Sequence, residues 1–257
     1  HSVIVTGQMQ NLLLLNTKGS PLQEVILYSD QRSIEESEWL LQNSCYLDLV
    51  AKTGNEQGPT SLLAKLLWIK KHQPEIFSKT NCLLPGASDY VVFRMTGEKA
   101  TDTTTASTTG LMELVERKWI DEALFNKMGL QGVQTLLPKL FDGGAKIGEL
   151  QKKAATDLGI PAGLPVFLGP GDAGSATIGA GCGVPGKAYA YIGTSGWVAF
   201  AEKQPADPTT GVITLSHPKC DHFIQVAPLL TAGGNLEWAK SLSNFESYDS
   251  LINDAIS

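Results

Sequence analysis

Apolar residues come in short runs at the start of the chain and at helical spacing through its middle. Val3-Ile4-Val5 is a run of strand length, broken by Gly7-Gln8-Met9-Gln10-Asn11, after which 12–15 is apolar again. Residues 16–19 are turn-rich and 24–28 reads as a further strand, so the opening is expected to be strands with a hairpin. Residues 33–42 then take helical spacing. Ser33 stands as its cap, and Glu36 completes a capping box. A second helix is expected over 60–72, with Leu62, Leu63, Leu66, Leu67 and Ile69 apolar, Lys65, Lys70 and Lys71 polar, Trp68 in core packing and Pro74 as the stop. Residues 81–85 read as extended. A helix over 88–96 has Tyr90, Val91 and Phe93 inward and Gly97 as its stop. Helices over 119–128 and 147–158 end at Gly129 and Gly159. Between them and the preceding helix, 101–109 is nearly all Thr, Asp, Ser and Ala. It is either a polar loop or a set of hydroxyls that satisfies backbone ends at a hinge.

The texture changes late in the chain. The run 164–168 reads as a buried strand and 173–181 as a tightly packed helix of small residues, with Gly169-Pro170-Gly171-Asp172 at the junction. Strands follow over 187–192, 196–201, 211–215 and 223–226, and 229–242 returns to a helical pattern. A domain boundary is expected near 181–185, dividing the chain into 1–182 and 183–257. No repeat of solenoid length is present.

Two junctions carry candidate chemistry. Asp172 falls at a strand-to-helix turn, where N-terminal N–H groups hold a carboxylate ionised. It is either an ordinary helix cap or a fixed base that takes a proton from a hydroxyl. Gly193-Thr194-Ser195-Gly196 lies between two strands. It is either a plain β-turn or a hairpin whose N–H groups and hydroxyls cradle a phosphate. Gln8, Gln10, Asp30 and Arg32 sit just past strand ends, where α/β sheets bind ligands and where solvated polar loops also occur.

Composition narrows the classes. With 42% hydrophobic and 18% charged residues, the chain can bury a sizeable core. The net charge of −6 and the lack of a basic block argue against a nucleic-acid partner. Cys45, Cys82, Cys182 and Cys220 are dispersed, as reduced thiols of a cytoplasmic protein would be. His217, Cys220 and His222 are close in sequence, but their spacing fits no common zinc motif, and no metal site is expected there. No apolar run reaches membrane length, and the opening residues do not read as a secretory leader. Both ends look cut.

Read in order, these motifs resemble the FGGY family of carbohydrate kinases. Gly7-Gln8-Met9 is similar to the family's early Gly-Gln-Met, and Tyr28-Ser29-Asp30-Gln31-Arg32 to its Trp-x-Asp-x-Arg. Leu67-Trp68-Ile69 with Pro74-Glu75, Asp89-Tyr90 with Thr96-Gly97, Thr101-Asp102 with Ala106-Ser107, and Trp119 follow in the family's order. Gly169-Pro170-Gly171-Asp172 resembles the block of the catalytic aspartate, and Gly193-Thr194-Ser195-Gly196 the second phosphate loop.

The resemblance implies an α/β protein, an actin-like, RNase H-like two-domain sugar kinase fold present only in part. It makes 1–182 most of the sugar-binding domain and 183–257 the start of the ATP-binding domain. Asp172 would be the general base. Gln8, Met9, Gln10, Asp30, Arg32 and Ala173 would lie near the sugar, and Gly193, Thr194 and Ser195 near ATP, which family members use with Mg2+. The Gly-Gln-Met element favours the xylulokinase branch, although Gln10 stands where that branch usually has His and Tyr28 where it has Trp. The family's first phosphate loop and its adenine loop have no counterpart here. This portion alone is therefore expected to be inactive, and a homodimer is a modest expectation. The rival expectations are a truncated, non-catalytic sugar-binding protein derived from a kinase and an actin-like or Hsp70-like ATPase sharing the fold.

Overall fold

The computed structural model describes residues 1–193, 196–229, 231–243 and 245–256. Val3–Val5 pairs in parallel with Pro165–Leu168, which pairs in turn with the antiparallel strand Ala145–Glu149. Two strands 160 residues apart in sequence thus end side by side. The connection between them holds most of the helices and the larger core.

That core is built on Leu13–Leu15 against Cys82–Leu84. Leu12, Leu14 and Leu83 meet Leu40, Leu49, Leu62, Leu66 and Ile69 from helices Ile34–Gln42, Tyr46–Thr53 and Leu62–His72, with Phe125 beyond them. The expected strand over 24–28 is reduced to a bridge between Leu12 and Ile26. Only Ile26 of its apolar residues is buried, and Val25 and Leu27 face solvent.

Several expectations at helix ends are corrected. Ser33 precedes Ile34–Gln42 but makes no cap bond; its hydroxyl donates to Pro59 O at 2.8 Å, and Glu36 turns to Lys71 and His72. Pro74 does stop the helix Leu62–His72, and it also opens the helix Pro74–Lys79, because proline at a first helical position gives up no needed donor. In Ala87–Thr96, Val92 and Met95 are buried while Val91 is 44% exposed, and the N-terminus is closed by Asp89, which accepts from Gly86 N. Gly97 does end this helix, in the left-handed conformation. Trp119 lies in a short strand, and the following helix is Glu122–Lys127, capped by Asp121. The helix expected over 147–158 divides into the strand Ala145–Glu149 and the helix Lys152–Leu158.

The hydroxyl-rich run is not a surface loop. Residues 101–110 are all buried, in the strand Ala100–Asp102 and the short helix Thr103–Ala106 with its following turn. The later chain forms an antiparallel sheet in the order Ala188–Ile192, Gly196–Glu202, Phe223–Leu229, Ile213–Ser216. Its last strand docks on the hydroxyl-rich segment. Thr104 Oγ1 donates to Ser216 O at 2.7 Å, and Ser216 N donates to Ser107 Oγ at 3.0 Å. The Asn55 side chain donates to Thr214 O and accepts from Thr214 N, both at 2.8 Å. The helices Gly233–Ser243 and Tyr248–Ile256 bury no residue. Among the described residues, no helix is long and apolar enough to cross a membrane.

Candidate functional site

The parallel pair sets the site. Both strands point the same way, so the segments leaving their carboxyl ends, Thr6 to Gln10 and Gly169 to Asp172, emerge together. Gly169 N donates to Val5 O at 2.7 Å, and Thr6 Oγ1 donates to Gly171 O at 2.6 Å. Gly171 has φ +54°, and a Cβ there would stand 2.4 Å from Met9 Sδ. The glycine is therefore required twice, for its backbone angle and for its contact.

Asp172 lies in the first turn of helix Gly171–Gly179, whose cap position is Pro170. Its carboxylate does not cap the helix. Oδ1 accepts from the adjacent Ala173 N at 2.8 Å. Burial by surrounding protein pushes its pKa up from the ordinary carboxylate value, and the N–H bond opposes this less strongly. The expectation that the helix N-terminus holds it ionised thus names the smaller effect. A raised carboxylate is the stronger proton acceptor once ionised.

The other sequence candidates divide. Met9 is buried among Leu215, Ile224 and the partly buried Ala173, and so joins the opening arm to the late sheet. Gln10 takes a left-handed backbone, φ 60°, and its side chain donates to Thr108 O at 3.3 Å. The Gln8 carbonyl accepts from Ala87 N and from Asn11 Nδ2. Asp30 and Arg32 form a two-bond pair, at 2.9 and 2.7 Å, which lowers the Asp30 pKa through the guanidinium bond. Arg32 lies over the Trp68 ring, 5.0 Å from its centre. Gly193 closes the hairpin end, and its carbonyl accepts from Gly233 N at 2.7 Å. Thr194 and Ser195 lie outside the described residues.

Sequence reasoning missed three supports. Lys65, read only as a polar position, is fully buried; Nζ donates to Leu27 O at 2.7 Å, and burial lowers its pKa to about 8. It tethers the loop that presents Asp30 and Arg32. Asp102 accepts from Thr105 N and Thr105 Oγ1, and Thr105 stands against Gly171. Asp89 is buried beside it. Burial drives the Asp102 pKa up to about 6 and the Asp89 pKa well above the usual range, with the Asp102 charge adding to the latter.

These two acids predict an unusual pH dependence. An acid whose pKa is raised by folding stabilises the fold while protonated, and that contribution is lost as pH climbs through the folded value. For Asp102 the window runs from the ordinary aspartate value to about 6. Thermal melts should therefore rise from pH 7 to pH 5, by on the order of 3 °C. Asp102→Asn, which keeps the acceptor for Thr105 N, should flatten that rise. Melts that fall over this interval would contradict the assignment.

Residues 1–179 match the N-terminal domain of the FGGY family of carbohydrate kinases. The chain belongs to this family. The xylulose kinase of Bacillus subtilis (strain 168) is 32% identical over 96% of the chain and 49% of its own length. A solved xyloylose kinase from Brucella ovis superposes with TM-score 0.88 at 28% identity, over 98% of this chain and 51% of that one. Plasmodium falciparum glycerol kinase shares the fold, with TM-score 0.81 at 23% identity over 96% of this chain and 50% of its own. The chain spans about half the length of these relatives, and its α/β architecture is that of the actin-like sugar kinases.

Proposed function

We propose that this chain carries the sugar-binding half of an ATP-dependent kinase that phosphorylates a small ketose or polyol, with xylulose the favoured substrate. The observation that carries this reading is the parallel strand pair. It delivers the Gln8-Met9-Gln10 arm and Asp172 to one end of one sheet, as a polyol and its base require. The xylulose preference rests on relatives such as the Bacillus subtilis enzyme.

In this reading 1–182 holds the sugar and 183–257 begins the ATP side. Asp172 takes the proton of the attacking hydroxyl while the Ala173 N–H fixes its other oxygen. Gln8, Gln10 and the Asp30–Arg32 pair offer the donors and acceptors that hydroxyl groups need. Met9 and Ala173 form the apolar floor beside them.

At Gly193 a Cβ would stand 2.5 Å from Tyr191 Oη, and the bond from Gly233 brings the start of helix Gly233–Ser243 to the same place. Gly193, Thr194 and Ser195 would hold ATP there. ATP, when bound, supplies the transferred phosphoryl group. Magnesium would come with the phosphate oxygens of ATP and offset their charge.

The test is an ADP-release assay of the natural gene product against xylulose, other ketoses, polyols and sugar acids, paired with calorimetry of sugar binding. Turnover on one ketose or polyol is expected. Tight sugar binding without turnover would favour a non-catalytic binder instead.

A further inference from the structure

Away from these residues, the fold gathers a second set of chemically capable side chains. Glu35 and Glu36 lie in the first turn of Ile34–Gln42, and His72 ends Leu62–His72. The two helices pack so that one ligand atom from each side chain lies within 4.8 Å of the other two. His72 Nε2 is 3.2 Å from Glu36 Oε1. Ligand bonds of about 2.0–2.1 Å set neighbouring atoms of a tetrahedral zinc shell roughly 3.3 Å apart, so this pair already spans one edge.

Glu36 supplies the second observation. It is 5% exposed, and its Oε2 has no hydrogen-bond partner. A buried carboxylate oxygen left without a donor is costly. Among the described residues, the acids meet the Lys71 ammonium, which is 2.9 Å from Glu35 Oε2 and 3.3 Å from Glu36 Oε1. Lys71 itself is exposed. Glu35 and Glu36 also line a cavity of about 480 Å3, which gives an ion a way in. The His72 ring is held by stacking on Trp68, with centres 4.9 Å apart and planes 25° apart.

We propose that Glu35, Glu36 and His72 form a binding site for a divalent cation of borderline softness, Zn2+ foremost. One imidazole and two carboxylates suit such an ion, and a fourth position remains for water. The ion replaces the Lys71 ammonium beside Glu36 Oε1. Trp68 then connects the site to the kinase residues, since its ring carries His72 on one side of the contact chain and Arg32 on the other. The cation site does not depend on the sugar reading.

The experiment is calorimetric titration of the chain with Zn2+, with the visible spectrum of the Co2+ form as the coordination readout. One Zn2+ per chain is expected. Glu36→Gln and His72→Gln should each weaken binding at least tenfold, while Lys71→Ala should tighten it several-fold by removing the competing ammonium. Cys220→Ser, at the other cluster of potential ligands, should leave binding unchanged. His72 is exposed, so its variant keeps the fold, and circular dichroism checks this for both. Absence of stoichiometric Zn2+ binding, or binding that survives both ligand variants, would overturn the proposal.

Discussion

Asp172→Asn is expected to lower kcat for sugar phosphorylation by about 10²–10⁴-fold, the usual worth of a positioned general base. Asn is the informative replacement because its oxygen can still accept from Ala173 N, so the local backbone bond survives. The loss should appear in kcat, with sugar KM little changed, since the proton transfer belongs to the transition state. The wild-type enzyme should also lose activity on the acid side at a pH above the ordinary aspartate value, because burial raises this carboxyl. A variant that keeps more than a tenth of the wild-type kcat would remove Asp172 from the base role.

Gly171→Ala should be the most damaging small substitution near the site. The residue sits at φ +54°, where a side chain costs about 1 kcal/mol. The added methyl meets Met9 Sδ at 2.4 Å, Met9 Cγ at 2.7 Å and Thr105 Oγ1 at 3.1 Å. Methionine adapts well, but Met9 is itself enclosed by Leu215 and Ile224. Overpacking of this kind adds about 1–3 kcal/mol. Denaturant unfolding should show a loss of roughly 2–4 kcal/mol in total. Activity at a temperature where the variant is folded should fall up to about 100-fold, because a displacement near 1 Å at Asp172 is enough. Unchanged stability would mean that Met9 yields freely.

The candidate residues at the strand ends were legible because each is tied to a local rule. Gly171 precedes an acid at a strand-to-helix turn, and the short run Val3-Ile4-Val5 has the length of a buried strand. What periodicity does not contain is the pairing of those two strands, a contact across 160 residues. Lys65 was missed for a related reason. At helical spacing it looks polar and outward, yet the carbonyl of Leu27, from a distant loop, lets it be buried. The run 101–109 was open between two readings, and burial selects the one in which hydroxyls satisfy backbone groups. The cap at Ser33 failed because a tertiary partner, Pro59, outweighed the local signal.

Asn55 has a further effect through the way it meets Thr214. By bonding both the N–H and the carbonyl of one residue, its amide stands in for a piece of neighbouring strand. Ser107 and Thr104 do the same for Ser216. Ile213–Ser216 is the last strand of its sheet, so these side chains occupy the rim along which a foreign chain would otherwise add. The seam that joins two parts of the molecule therefore also guards it against aggregation, and it does so without a charge or a proline on the strand itself.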